Sequence, residues 1–200
     1  MTRAAERFFS LTVLATLLAG CAHTPPVEDP YTFVERRSVL ESLDGWDLNG
    51  RIAVNTGERA FQGRFRWRQI DDTLDLSIRG PLGTGILEIA GPTGGLTVNT
   101  RGETLSLTDP ETELSQLMGW WLPVESFSAW LLGLPDPTYP ATTSFDPDDR
   151  LRRFEQRLWQ VSYESYQVAQ GMVLPERIDL AHRDLELRVT VDRWESIDAE

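Results

Sequence analysis

The chain has 200 residues, with 19 Arg and no Lys set against 31 Asp and Glu, two His and one Cys, for a formal net charge of −12. A single cysteine excludes an internal disulfide framework, and the lack of lysine excludes any mechanism that needs a lysine amine. The acidic balance argues against nucleic acid or anionic headgroups as partners recognised by overall charge.

Arg3 and Arg7 precede an apolar run, Phe8 to Ala19, interrupted only by Ser10, Thr12 and Thr16. The run is shorter than the roughly 20 residues a membrane-spanning helix needs. It closes on Leu18-Ala19-Gly20-Cys21, which resembles a bacterial lipobox. That resemblance implies a signal peptide at 1–20 and a Cys21 carrying S-diacylglycerol and N-palmitoyl groups. Each buried methylene contributes roughly 0.8 kcal/mol, so three acyl chains hold firmly where one holds marginally. Ala22 stands where an Asp would resemble an inner-membrane retention signal, which points to the outer membrane, with the domain facing the periplasm. Removal of Arg3, Arg7 and Glu6 with the signal leaves 17 basic and 30 acidic side chains, net −13.

Ala22 to Tyr31 contains Pro25, Pro26 and Pro30 without apolar periodicity, so 21–32 reads as a lipidated tether and 33–200 as one domain. Phe33, Val34, Arg37, Leu40 and Leu43 lie at helical spacing and predict a first helix over 33–43. From Trp46 the period becomes two. Ile52 and Val54, Phe65 and Trp67, then Leu74, Leu76 and Ile78 alternate with polar residues. Leu87 and Ile89, Leu96 and Val98, and Leu105 and Leu107 continue the pattern, with turns at Gly94-Gly95 and Gly102. Half-buried antiparallel strands joined by hairpins are expected. Asp109-Pro110-Glu111 opens a helix in which Leu114, Leu117 and Met118 should face inward, and Trp120-Trp121-Leu122-Pro123 breaks it. Val124 to Leu132 is a further helix, ended by Gly133. A polar link over 136–150 leads to strands around Trp159-Val161-Tyr163, Ile178-Leu180 and Leu185-Leu187-Val189-Val191. The fold class is mainly β: one curved antiparallel sheet wrapped around helices, enclosing either a packed core or a cavity.

Catalytic signatures are missing. There is no Gly-x-Ser-x-Gly and no His-Glu-x-x-His; His23 falls in the tether and His182 in an expected strand-connecting turn. Gly80-Pro81-Leu82-Gly83-Thr84-Gly85 lacks the Lys of a phosphate loop and is followed by a strand. Asp146-Pro147-Asp148-Asp149 lacks the central Gly of a calcium loop, and Asp71-Asp72 sits in a turn. No catalytic residue, metal ligand or cofactor is expected. Seven tryptophans are present instead, five of them (Trp67, Trp120, Trp121, Trp130 and Trp159) in or beside apolar segments, as core or as the wall of an apolar pocket. In Pro81-Leu82-Gly83 the leucine either folds back onto the sheet or stands out as an apolar finger, one buried leucine being worth roughly 1.5–3 kcal/mol.

In order, the lipobox, Trp46-Asp47-Leu48-Asn49-Gly50-Arg51, Phe61-Gln62-Gly63-Arg64-Phe65-Arg66-Trp67, Gly80-Pro81-Leu82-Gly83, Leu117-Met118-Gly119-Trp120-Trp121-Leu122-Pro123, Trp130-Leu131-Leu132-Gly133-Leu134-Pro135, Trp159-Gln160-Val161-Ser162-Tyr163 and Leu174-Pro175-Glu176-Arg177-Ile178 resemble the outer-membrane lipoprotein LolB family over nearly the whole chain. The resemblance implies an unclosed β-barrel capped by α-helices, with a hydrophobic cavity. It implies acceptance of lipoproteins from a periplasmic carrier, LolA, and their insertion into the inner leaflet of the outer membrane, without nucleotide and by a monomer. Leu82, with Pro81 and Gly83, matches the family's protruding insertion loop. Residues expected to line the acyl cavity are Ile52, Val54, Phe65, Trp67, Leu76, Ile78, Leu87, Ile89, Leu117, Trp120, Trp130 and Leu131. The strip Arg64, Arg66 and Arg68 is either a place for the carrier to dock or a solvated strand face. Two other readings stay open: a non-transporting scaffold lipoprotein with a filled interior, and a lipid hydrolase built around His182.

Overall fold

The computed structural model describes residues 29–81, 86–92, 94–100, 102–183 and 185–199. Among these, eleven strands form one antiparallel sheet, and three helices contribute Leu40, Leu114 and Phe127 to its core. The order along the chain is α1 (Phe33–Glu41), β1 (Leu43–Asn55), β2 (Ala60–Ile70), β3 (Thr73–Arg79), β4 (Ile86–Pro92), β5 (Thr97–Thr100), β6 (Glu103–Ser106), α2 (Pro110–Met118), α3 (Val124–Leu132), β7 (Thr142–Phe145), β8 (Leu151–Gln156), β9 (Trp159–Ala169), β10 (Met172–His182) and β11 (Leu185–Ala199). In space the strands run β6-β5-β4-β3-β2-β1-β11-β10-β9-β8-β7. Two meanders therefore meet where the first strand pairs with the last, and β6 and β7 are edges that do not pair with each other. The barrel is unclosed.

The alternations seen in the sequence become inward rows except at β6, where Leu105 is exposed and only Leu107, beyond the strand, is buried. Leu74 and Leu76 on β3, Ile89 on β4 and Leu185, Leu187, Val189 and Val191 on β11 are buried, while their neighbours point outward. The β1–β11 ladder shifts register between Asp47 and Leu48 and between Asn49 and Gly50. Such bulges bend a strand and raise its twist, which curls the sheet. Gly50 sits at one of them for a steric reason: a Cβ there would come within 2.4 Å of the Thr190 carbonyl and 2.6 Å of the Phe65 ring. β7 lies inside the polar stretch expected to be a link. All four of its residues are exposed, so no apolar alternation marks it.

Antiparallel alternation sorts the turns. Those at 56–59, at Arg157-Leu158 and after His182 lie at one end of the strands. Those at 71–72, 146–150 and 170–171 lie at the other, where α1 also enters β1. Thr32 caps α1 in a reciprocal box with Glu35. Asp29 pairs with Arg36 at 2.7 Å, both side chains almost fully covered, and the Phe33 N–H donates to Asp149 at 2.7 Å. The chain is thus fastened to the domain from Asp29 onward.

The half of the interior beneath β8–β10 is solid. Trp130, Phe127, Phe154 and Trp159 pack with centroids 5.2–6.1 Å apart. One buried side chain, Gln156, ties this block together. It accepts from Trp130 Nε1 at 2.8 Å and the Asp136 N–H at 2.9 Å, and donates to the carbonyls of Asp136 and Tyr139. Tyr163 completes it with a 2.7 Å bond to the Trp130 carbonyl. Buried polar groups satisfied in this way cost little and fix α3 in one position.

Candidate functional site

The other half of the interior is not filled. A cavity of about 140 Å³ lies between β1–β4, β11 and the helices, lined by Ile52, Val54, Phe61, Phe65, Trp67, Leu76, Ile78, Leu87, Ile89, Met118, Trp120, Leu122, Val124, Phe127, Leu131, Leu187 and Val189. Every one of these side chains is apolar. The wall is built by register: Phe61, Val54 and Leu187 form one cross-strand row, and Ile52 and Val189 belong to the next. Trp67, Leu76 and Ile89 form another across β2–β4.

Ten of the twelve residues expected around such a cavity are brought together here. Two are not. Leu117 is 53% exposed, because α2 turns the line Pro110, Leu114, Met118 inward, one residue every four, and Leu117 falls beside it. Trp130 is buried in the solid block, its indole bound to Gln156 and away from the cavity. Sequence reasoning missed a complete wall strand, β11. Its signal was the alternation of Leu187 and Val189, which only the β1–β11 pairing assigns to the cavity. Pro81 is exposed beside the end of β3. Leu82 and Gly83, expected to form the apolar finger, lie outside the described residues, as does Cys21.

A groove of about 750 Å³ adjoins the cavity at the 56–59 end of the strands. Val54, Phe61, Met118 and Trp120 line both spaces, and Thr56, Glu58, Arg59, Trp121, His182 and Arg183 complete the rim. His182 is not in a turn but at the end of β10. Its ring stacks on Trp159 at 5.2 Å and tilts against Trp121 at 5.5 Å. Burial, then the positive charge of Arg183, holds its pKa below the ordinary value.

One guanidinium fastens the helical cover. Arg157 sits at a φ of +52°, in the two-residue turn between β8 and β9. It reaches Glu111 of α2 at 2.5 Å and Ser126 of α3 at 3.0 Å, and lies over the rings of Trp121 (5.0 Å) and Tyr139 (4.1 Å). Its burial disfavours the charge, but the hydrogen bond and opposite charge of Glu111 outweigh this and its pKa is raised. Of the expected docking strip, Arg66 is paired with Asp47 at 2.5 Å, while Arg64 and Arg68 are exposed on the outer face. No group of three or more His, Cys, Asp or Glu among the described residues could hold a metal.

A half-closed antiparallel barrel that shelters an apolar cavity beneath helices is the architectural class to which this chain belongs. Solved structures share this architecture at low identity. A LolA superfamily protein from Nitrosomonas europaea superimposes with a TM-score of 0.50 at 13% identity, over 82% of this chain and 93% of its own. A DUF1329 family protein from Desulfovibrio piger gives 0.53 at 7%, over 84% and 90%. In sequence, the family model described as outer membrane lipoprotein LolB matches residues 44–194. The outer-membrane lipoprotein LolB of Pseudomonas savastanoi pv. phaseolicola is 35% identical over 191 residues, 94% of this chain and 93% of that one. That of Nitrosococcus oceani is 36% identical over 185 residues, 90% and 92%. The chain belongs to the LolB family and is an outer-membrane lipoprotein.

Proposed function

We propose that this domain receives the acyl chains of lipoproteins from a periplasmic carrier of the LolA fold and places them in the inner leaflet of the outer membrane. The observation that carries the reading is the cavity: seventeen apolar side chains and no polar one, beside a groove at the strand ends. Such a pocket binds hydrocarbon and rejects anything that brings a polar group without a partner. Nothing in it performs chemistry on the chain, so transfer runs on affinity alone, each acceptor binding the chains better than the donor did. Acylated Cys21 would keep the cavity at the membrane, and Leu82 would enter the bilayer as cargo leaves. A scaffold reading expects an interior filled with side chains, and the cavity does not favour it.

The test is transfer to residues 22–200 from a carrier loaded with a lipoprotein. Leu76→Arg, which puts a charge into the cavity wall, should abolish acceptance. Leu82→Glu should still accept but release slowly into liposomes. Full acceptance by Leu76→Arg would remove the cavity from the mechanism, and normal release by Leu82→Glu would remove the loop.

A further inference from the structure

The outer face of the sheet carries a charge arrangement that the chain's acidity conceals. Arg79, Arg64 and Arg51 stand directly opposite one another on β3, β2 and β1. Residues in such register have Cβ atoms about 5 Å apart, and like charges so placed destabilise a sheet. All three are exposed. With Arg188 they line a groove of about 880 Å³ that runs to Gly80 and Pro81 and has no acidic side chain in its lining. Arg51 and Arg188 are balanced by Asp192 and Asp179 at 2.7 Å. Arg64 and Arg79 have no ion pair with a described acid. A protein with net charge −12 has acid to spare, so two adjacent unbalanced guanidiniums mark a place where an outside anion completes the charge.

We infer that this arginine groove binds the phosphates of anionic phospholipid headgroups, and so sets the domain's outer face against the membrane that anchors it. Guanidinium forks suit phosphate, which they can grip by two parallel hydrogen bonds. The groove begins at the last residue of β3 and continues to Pro81, so headgroup binding would bring that end of β3 to the bilayer surface. Composition alone argued against headgroup recognition; the local row reverses that. The inference rests on the domain working beside a membrane, not on acyl transfer, so vesicle binding can fail while transfer succeeds, and the reverse.

The test uses residues 22–200, which keep every element among the described residues and lack the anchor. Binding is measured to vesicles of phosphatidylcholine alone and of phosphatidylcholine with phosphatidylglycerol, at low and high salt. The parent should prefer the anionic vesicles, and salt should weaken that preference. An arginine near an anionic surface contributes about fivefold in affinity, so Arg64→Gln with Arg79→Gln should lose roughly 25-fold. The same pair should keep or raise the melting temperature, since it relieves repulsion. A control that removes two exposed arginines elsewhere, Arg37→Gln with Arg152→Gln, should bind as the parent does. Equal losses in pair and control, no loss in the pair, or equal binding of the parent to both vesicle types would each overturn the assignment.

Discussion

Glu111→Gln should make the cavity easier to fill. The enclosed space is about 140 Å³, well below the roughly 300–1,000 Å³ of ordinary ligand pockets. An acyl chain therefore enters only when the cover moves. The cover is tied by Arg157 to Glu111 at 2.5 Å, with side-chain exposures of 12% and 16%. A charge-assisted pair of this kind is worth about 1.5–3 kcal/mol. After the substitution Arg157 keeps Ser126 and both aromatic rings, and glutamine still accepts one hydrogen bond, so the loss falls near the lower end. About 1.5 kcal/mol shifts the open-to-closed ratio roughly tenfold. Where the closed form dominates, apparent affinity scales with the open fraction, so an acyl probe should bind about tenfold tighter. The assay is a titration with a fluorescent fatty acid, alongside a melting curve. Unchanged or weaker affinity in a folded Glu111→Gln protein would refute the tie as what keeps the cavity shut.

Leu114 and Leu117 separate the two faces of α2. Leu114→Ala should cost about 2–5 kcal/mol from a position 1% exposed, against under about 0.5 kcal/mol for Leu117→Ala, read by denaturant unfolding. His182, held below its ordinary pKa of 6.5, binds its proton less readily folded than unfolded. Its contribution to stability is complete above pH 6.5 and is lost as the pH falls through the depressed folded value. A His182→Phe variant should show a flatter melting temperature against pH below 6.5, and an identical profile in both proteins would exclude His182 as the source.

Much of the fold was legible because local pattern and tertiary demand agree. The alternation Leu185-Leu187-Val189-Val191 could have only one buried side, and Val124–Leu132 carries its own stop at Gly133, whose φ is +87°. What escaped depends on contacts between distant residues. β7 is an edge strand with no buried face, so its four residues read as linker. Trp130 carries the same apolar signal as Leu131, and only Gln156, 26 positions away, draws it out of the cavity. The arginine row was invisible for a related reason. Arg51, Arg64 and Arg79 each look like the polar half of a separate alternation, and only strand pairing sets them in line.

If Cys21 carries the proposed anchor, the ion pair of Asp29 with Arg36 fixes how far the domain can wander. Between Cys21 and Asp29 lie eight peptide steps, which reach at most about 28 Å however the chain is arranged. β1 has 13 residues and at about 3.3 Å each is longer than that leash. The leash is fastened at the strand ends away from the cavity's mouth. An anchored molecule can therefore stand with the mouth raised toward the periplasm, or pivot about its fixed foot until its flank meets the bilayer. Receiving and delivering then become two attitudes of one tethered body, separated by a rotation rather than by a journey.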